Sequence, residues 1–279
     1  MRYVFFVLAF AALAFAANDG CTDTSVGLNP PSGNDGVAFS VINDWTLANK
    51  ALGIDVFEGP GFYVLGADNV NDWIQAFDAT TGVPAGSLPL SAANGSCFGV
   101  AWNNDPDTDT YYTDDWASSN LFYTEDFGVS WTTEPNPAGN NARGMDFDGT
   151  DYWTTNGTGG GIWRFLPGTG AENIATPEIP SQPSGLTVFP YGSNLGIAIT
   201  TYNTHNIYFY QWNGSTLDFM ASAACPVSGI DASYGLAYAA TNGHMYWSYR
   251  TGTAYHIAEL TFTITSLERT SWGSIKNSF

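Results

Sequence analysis

Residues 235–260 read GLAYAATNGHMYWSYRTGTAYHIAEL. Apolar and polar residues alternate in three stretches, which are separated by Asn-Gly and Thr-Gly-Thr, as expected of short strands joined by tight turns. The opening glycine recurs. GIDVF at Gly53, GVAWN at Gly99, GMDFD at Gly144 and GLTVF at Gly185 begin the same way, and the spacings up to Gly235 are 46, 45, 41 and 50 residues. Two further aromatic-rich stretches follow each glycine. They are FYVLGAD and WIQAFDA in the first unit, TYYTDD and LFYTED in the second, and DYWTTN and GIWRFL in the third. The fourth has GIAITTY and IYFYQW, and the fifth MYWSYR and AYHIAEL. A repeat of about 45 residues built from short alternating strands predicts an all-β chain of four-stranded propeller blades.

Each blade needs a fourth strand. SLPLS near Leu88, the stretch after Trp131, NIATPEI near Ile174 and LDFMASA near Phe219 supply four of them. The fifth unit runs into a different tail, while VAFSVINDW (Val37 to Trp45) stands unused ahead of the first glycine. Pairing that stretch with the strand around Ile257 closes the ring and removes two open sheet edges. The expectation is five blades over residues 37–263, closed by an N-terminal strand. Six blades is the alternative, should the Asn-, Pro- and Gly-rich residues 17–36 hold more structure. A small residue two places after the glycine, Ala101 or Ala237, is expected to let neighbouring blades approach, and Asp55 and Asp146 depart from that pattern.

Thr124-Glu125-Asp126-Phe127-Gly128-Val129-Ser130-Trp131 resembles the Asp-box of propeller proteins, S/T-x-D-x-G-x-S/T-W. The resemblance implies that Asp126 and the hydroxyl residues Thr124 and Ser130 tie down the hairpin between a blade's third and fourth strands. Gly128 turns the chain and Trp131 packs beneath. Secreted sialidases and sortilin-type receptors carry this device at the rim, and it implies no activity. The phrase from Gly235 to Leu260 is similar to the repeat of secreted bacterial propellers, a repeat class and not an enzyme family.

Residues 1–16, MRYVFFVLAFAALAFA, place Arg2 ahead of an apolar run that ends in Ala14-Phe15-Ala16. This is the pattern of a secretory signal peptide cleaved near Ala16, and the run is too short to span a bilayer. The expected location is extracellular or on the cell surface, with no transmembrane segment in the mature chain. The full chain carries 26 acidic against 7 basic residues, a formal charge of −19. That balance excludes a phosphate-backbone partner, which needs clustered Lys and Arg. Cys21, Cys97 and Cys225 allow one disulfide with one thiol left over, Cys97–Cys225 being one possible pair. Asn-Gly-Ser/Thr at Asn94, Asn156 and Asn213 reads as turn chemistry before glycan attachment.

Asp55 and Asp146 occupy equivalent places on the first strands of blades one and three. In one reading they converge on the central channel as acid and as base or nucleophile of a polysaccharide-cleaving enzyme, with Arg143 orienting one of them or binding an acidic sugar. In the other, each bonds backbone across a blade interface. Ala101, Thr187 and Ala237 fill the position in the other blades, so no third carboxylate completes such an enzyme. Asp105, Asp107 and Asp109 in NNDPDTDTYY are candidate calcium ligands, although the EF-hand glycine and the downstream Glu are missing and a polar hairpin explains them as well. No other cofactor is implied. The tail, residues 264–279, sets Trp272, Ile275 and Phe279 on one helical face, for docking on the propeller or for sorting. The expected function is a non-catalytic binding or assembly module for a glycan or extracellular protein, with Asp55, Arg143 and Asp146 at the mouth. A glycoside hydrolase and a structural subunit of a surface assembly are the alternatives.

Overall fold

The computed structural model describes residues 36–104, 109–158, 161–174 and 180–264. The signal-peptide stretch, Cys21, Asp105, Asp107 and the tail beyond Ile264 lie outside them. The described residues form twenty strands in five four-stranded antiparallel sheets, with no helix among them. Among the described residues no helix is therefore long and apolar enough to cross a membrane.

Blade 1 is β2 (Ile54–Glu58), β3 (Phe62–Asp68), β4 (Trp73–Asp78) and β5 (Pro84–Pro89). Blade 2 is β6 (Cys97–Asn104), β7 (Asp109–Asp115), β8 (Asn120–Thr124) and β9 (Thr132–Pro135). Blade 3 runs β10 (Ala142–Phe147), β11 (Tyr152–Asn156), β12 (Ile162–Leu166) and β13 (Gly170–Ile174). Blade 4 runs β14 (Pro183–Tyr191), β15 (Asn194–Thr201), β16 (Asn206–Trp212) and β17 (Leu217–Ala224). Blade 5 takes β18 (Ala232–Ala239), β19 (His244–Thr251) and β20 (Ala254–Ile264), and then β1 (Val37–Leu47) as its outermost strand. The expected closure is present: Trp45 lies opposite Ile257 and Val37 opposite Ile264. Five blades account for every described strand.

The repeat glycines mark where neighbouring blades meet. A Cβ on Gly53 would strike the backbone of Phe98 and Gly99, and one on Gly99 the carbonyl of Arg143. Gly144 faces the backbone of Gly185 and Leu186, Gly185 that of Tyr234 to Leu236, and Gly235 that of Leu52 and Ile54. The glycine, and not the small residue two places later, is thus what brings the inner strands into main-chain contact. Four of the five inner strands also shift register against their partners at this point. Such a bulge lets the strand bend where it crosses the axis.

Aromatic pairs fill the wedges farther out. Phe57 meets Trp102 at 4.4 Å, Tyr112 meets Tyr152 at 4.2 Å, and Trp153 meets Trp212 at 5.8 Å. Phe189 meets Tyr238 at 5.9 Å, and Phe62 meets Tyr246 at 6.1 Å. Every interface between blades therefore holds at least one such pair, each contributing about 0.5–1.5 kcal/mol beyond the area it buries. Buried Glu259 secures the closing strand: it accepts bonds from Asn43 of β1 and Asn242, and its Oε1 lies 2.6 Å from His244 Nδ1.

Cys97 and Cys225 are free thiols, so the Cys97–Cys225 pair does not form. They belong to different blades and different cores: Cys97 sits 2.7 Å from the Thr113 hydroxyl in blade 2, and Cys225 follows β17 near Thr200. Asn94 is buried and donates to the Asp114 carbonyl, while Asn156 donates to the carbonyls of Ala138 and Asn140.

Candidate functional site

The inner strands end at one mouth of the ring, three to six residues beyond their glycines. There they enclose a cavity of about 540 Å³ lined by Asp55, Val56 and Glu58 of blade 1, Trp102 and Asn103 of blade 2, Asp146 to Gly149 of blade 3, and Tyr238 and Ala240 of blade 5. That volume lies in the range of small-ligand sites. Asp55 and Asp146, nearly a hundred residues apart in sequence, share this one cavity.

Their carboxyls also bridge blades. Asp55 Oδ1 accepts the N–H of Val56 at 2.7 Å, and its Oδ2 accepts that of Trp102 in the next blade at 2.6 Å. Asp146 repeats the arrangement: Oδ1 accepts from Phe147 at 2.7 Å, and Oδ2 accepts the Val188 N–H at 2.7 Å and the Thr187 hydroxyl at 2.6 Å. Each therefore clasps the main chain of its neighbour, as the second sequence reading had it. Burial pushes both carboxyls up, Asp146 to about 7 and Asp55 well above the ordinary carboxylate range, where the charge of Asp146 adds to the effect.

Two further carboxylates at the mouth escaped the sequence reading. Glu58 accepts the N–H groups of Ala240 and Thr241, tying blade 1 to blade 5. Asp148 accepts the N–H groups of Thr150 and Asp151 and, at 2.7 Å, the indole N–H of Trp153. No motif marks either residue. The available signal was the aromatic residue three places after the glycine, at Trp102, Phe147 and Tyr238, which furnishes the cavity walls.

Arg143 is not at this mouth. It precedes Gly144 and is 1% exposed, its guanidinium 4.7 Å from the ring of Phe98 and 5.6 Å from that of Trp116. There it faces buried Asp114, whose carboxyl burial raises to about 7 against the lowering effect of a Gly99 N–H bond and of Arg143. Asp109 opens β7 and accepts the Trp102 indole N–H at 3.3 Å.

Thr124 to Trp131 forms the β8–β9 turn. Asp126 Oδ1 accepts the Thr124 hydroxyl and the Ser130 N–H, its Oδ2 accepts the Ser130 hydroxyl at 2.6 Å, and the Gly128 N–H returns to Thr124 Oγ1. The Ser130 hydroxyl bond leads the interactions that hold Asp126 down at about 2. The Trp131 indole donates to the Pro89 carbonyl of blade 1.

No family model matches the chain, and no curated protein matches it in sequence. Solved structures share its architecture. The glutaminyl cyclase of Myxococcus xanthus is 12% identical, with 82% of this chain aligned to 97% of that one and a TM-score of 0.59. A GH43_1 enzyme from Xanthomonas citri is 9% identical over 81% of this chain and 94% of that one, TM-score 0.55. A chain of a nidogen/laminin complex is 15% identical over 79% and 87%, TM-score 0.54. At these identities the likeness is one of fold, and the fold serves enzymes and binding proteins alike.

Proposed function

We propose that this protein is an exported β-propeller that acts as a non-catalytic binding module for an extracellular glycan or protein, contacted at the Asp55–Asp146 mouth. The observation that carries the reading is the double role of those carboxyls. All four of their oxygens already accept bonds from the protein, and three of the bonds hold neighbouring blades together. A group that must exchange protons or attack a substrate would give up those bonds during each turnover. An open cavity with aromatic walls remains available for a ligand. The leader at residues 1–16 supports export, and the Asp-box reading of Thr124–Trp131 fits a secreted propeller whose rim is stiffened by hydrogen bonds.

A glycoside hydrolase is the second reading, favoured by one observation: two buried carboxyls with raised proton affinity share a cavity, as a general acid requires. An array of glycans and extracellular proteins, probed with the mature chain with and without EDTA, tests the first reading. Saturable binding without turnover supports it, and loss of binding in EDTA assigns the Asp105–Asp107–Asp109 loop to calcium. Hydrolysis of a polysaccharide that disappears in Asp146→Asn refutes it.

A further inference from the structure

Away from the mouth, a groove of about 480 Å³ lies between the outer strands of blades 2 and 3. Leu121, Pro135 and Pro137 of blade 2 and Phe165, Leu166 and Pro167 of blade 3 stand in its walls. Leu166 is 39% exposed there, one of the large apolar side chains that face solvent among the described residues. Glu134 is the one charged residue of the described lining. The prolines have no N–H to give, so these walls do not invite a further strand. A groove of apolar side chains instead suits an amphipathic helix, whose anchors recur at i, i+3 and i+7.

The chain itself carries such a pattern in residues 265–279, TSLERTSWGSIKNSF. At helical spacing Trp272, Ile275, Lys276 and Phe279 share one face. The segment holds Arg269 and Lys276 against Glu268, so it is net positive in a chain of net charge −19. Three apolar anchors around one lysine complement an apolar groove with one carboxylate.

Placement decides whose segment reaches the groove. Blades follow one another round the ring in chain order, and blade 5 meets blade 1 at Gly235. The interface of blades 2 and 3 is therefore diametrically opposite blade 5, whose third strand, β20, leads into residue 265. Strands in a blade stand about 4.8 Å apart, and inner strands packed across the axis about 10 Å apart. Two strand spacings on either side of the axis then put the end of β20 about 30 Å from the groove, with the body of the ring between them. If residues 271–279 form the docked helix, the seven links from Ile264 to Ser271 span at most about 25 Å. A copy's own groove is out of reach, and that of a neighbour placed edge to edge is not.

We infer that residues 271–279 of one copy dock as a helix in the groove between blades 2 and 3 of a second copy, with Lys276 at Glu134. Segment and groove are different surfaces on opposite sides of one ring, so the contact is heterologous. Each copy gives a segment and receives one, and the propellers join edge to edge into an open row. No residue of the Asp55–Asp146 mouth lines the groove, so the inference stands apart from the binding-module reading.

Sedimentation velocity of the mature chain over a concentration series tests it. Wild type should pass from single copies to species larger than a pair as concentration rises. Leu166→Asp in the groove and Trp272→Asp in the segment should each weaken that association by about ten-fold or more. Ala171→Glu, at an exposed position of the groove wall on β13, is a second groove variant with the same expected effect. Circular dichroism confirms that each variant is folded. Leu166→Asp and Trp272→Asp, mixed where each alone is a single copy, should form a pair and nothing larger, because one keeps its segment and the other its groove. Wild type that stays a single copy, association that the folded variants leave unchanged, or a mixture that does not pair overturns the inference. The array result for glycans and proteins does not enter this readout, so the two readings fail separately.

Discussion

Replacing Gly185 by alanine tests the ring at one of its tightest points. Gly185 does not need a glycine-only backbone angle, so space alone decides the outcome. An added Cβ would lie 2.6 Å from the Leu236 nitrogen and the Tyr234 oxygen and 2.7 Å from the Gly235 carbon. All three are main-chain atoms of β18, so no rotamer change relieves the overlap. To reach an ordinary contact of about 3.4 Å the strand must retreat by roughly 0.8 Å, in a core packed as tightly as a crystal. β18 cannot retreat freely, because Gly235 already presses it against Leu52 and Ile54 of blade 1. The displacement therefore passes round the ring. Overpacking of this kind costs about 1–3 kcal/mol, and a closed ring of main-chain contacts belongs at the upper end. The loss of unfolded-chain freedom on Gly→Ala returns only about 0.4–1 kcal/mol. With about 2–4 °C per kcal/mol for a domain of this size, a net loss near 2 kcal/mol lowers Tm by about 4–8 °C. Gly86 on β5 is the control, since a Cβ there meets nothing within 4 Å. Thermal unfolding followed by circular dichroism, run side by side on Gly185→Ala and Gly86→Ala, reads the difference. A Gly185→Ala protein that melts with wild type would refute the account of the repeat glycines.

Three further outcomes follow from side chains described above. Asp114 and Asp146 bind protons up to about pH 7 in the fold, against 3.8 for a free carboxyl, and Asp55 is raised as well. For Asp114 and Asp146 the contribution is complete below about pH 4 and is lost as pH rises to 7, by up to the order of 4 kcal/mol per group before coupling is counted, and Asp55 acts in the same direction. Tm should thus fall from pH 5 to pH 8 and fall less in Asp146→Asn; a Tm that rises over that interval contradicts the assignment. Cys97 and Cys225 should be silent to a thiol reagent in the native protein and react on unfolding, since burial raises both thiols, Cys225 to about 12. Asp126→Ala should release the turn that holds exposed Phe127 at a φ of 57°. Chymotrypsin cleavage at Phe127, slow in wild type, is the readout, and unchanged cleavage would show that Asp126 does not hold the turn.

The blades could be read from the chain because propeller strands announce themselves twice, by period-two alternation and by a glycine that neighbouring strands enforce. The closing strand was readable for a related reason: Val37–Trp45 had strand character and no partner in its own unit. Asp55 and Asp146 stood out as charges where the other repeats carry Ala or Thr. What the residues around the glycine touch was not readable. Arg143, one position before Gly144, packs against Phe98 and Trp116, away from the cavity that Asp146, two positions after the glycine, helps to line. Ala101 and Ala237 looked like the close-contact positions, but the bulge at the glycine moves that contact back. Glu58, the last residue of β2, and Asp148, in the turn after β10, lie beyond the repeating segment, where spacing no longer predicts direction. The expectation of export allowed a bond between Cys97 and Cys225, but chain order says nothing about which wedge each sulfur enters.

The closing strand also sets how the molecule responds to force. β1 and β20 run antiparallel, and the pair nearest the chain ends is Val37 opposite Ile264. A pull that separates those two residues loads the ladder one bond at a time, as a zipper opens, and blade 5 would yield at low tension. The strand that closes the ring is thus also the place where it opens most easily under load between Val37 and Ile264.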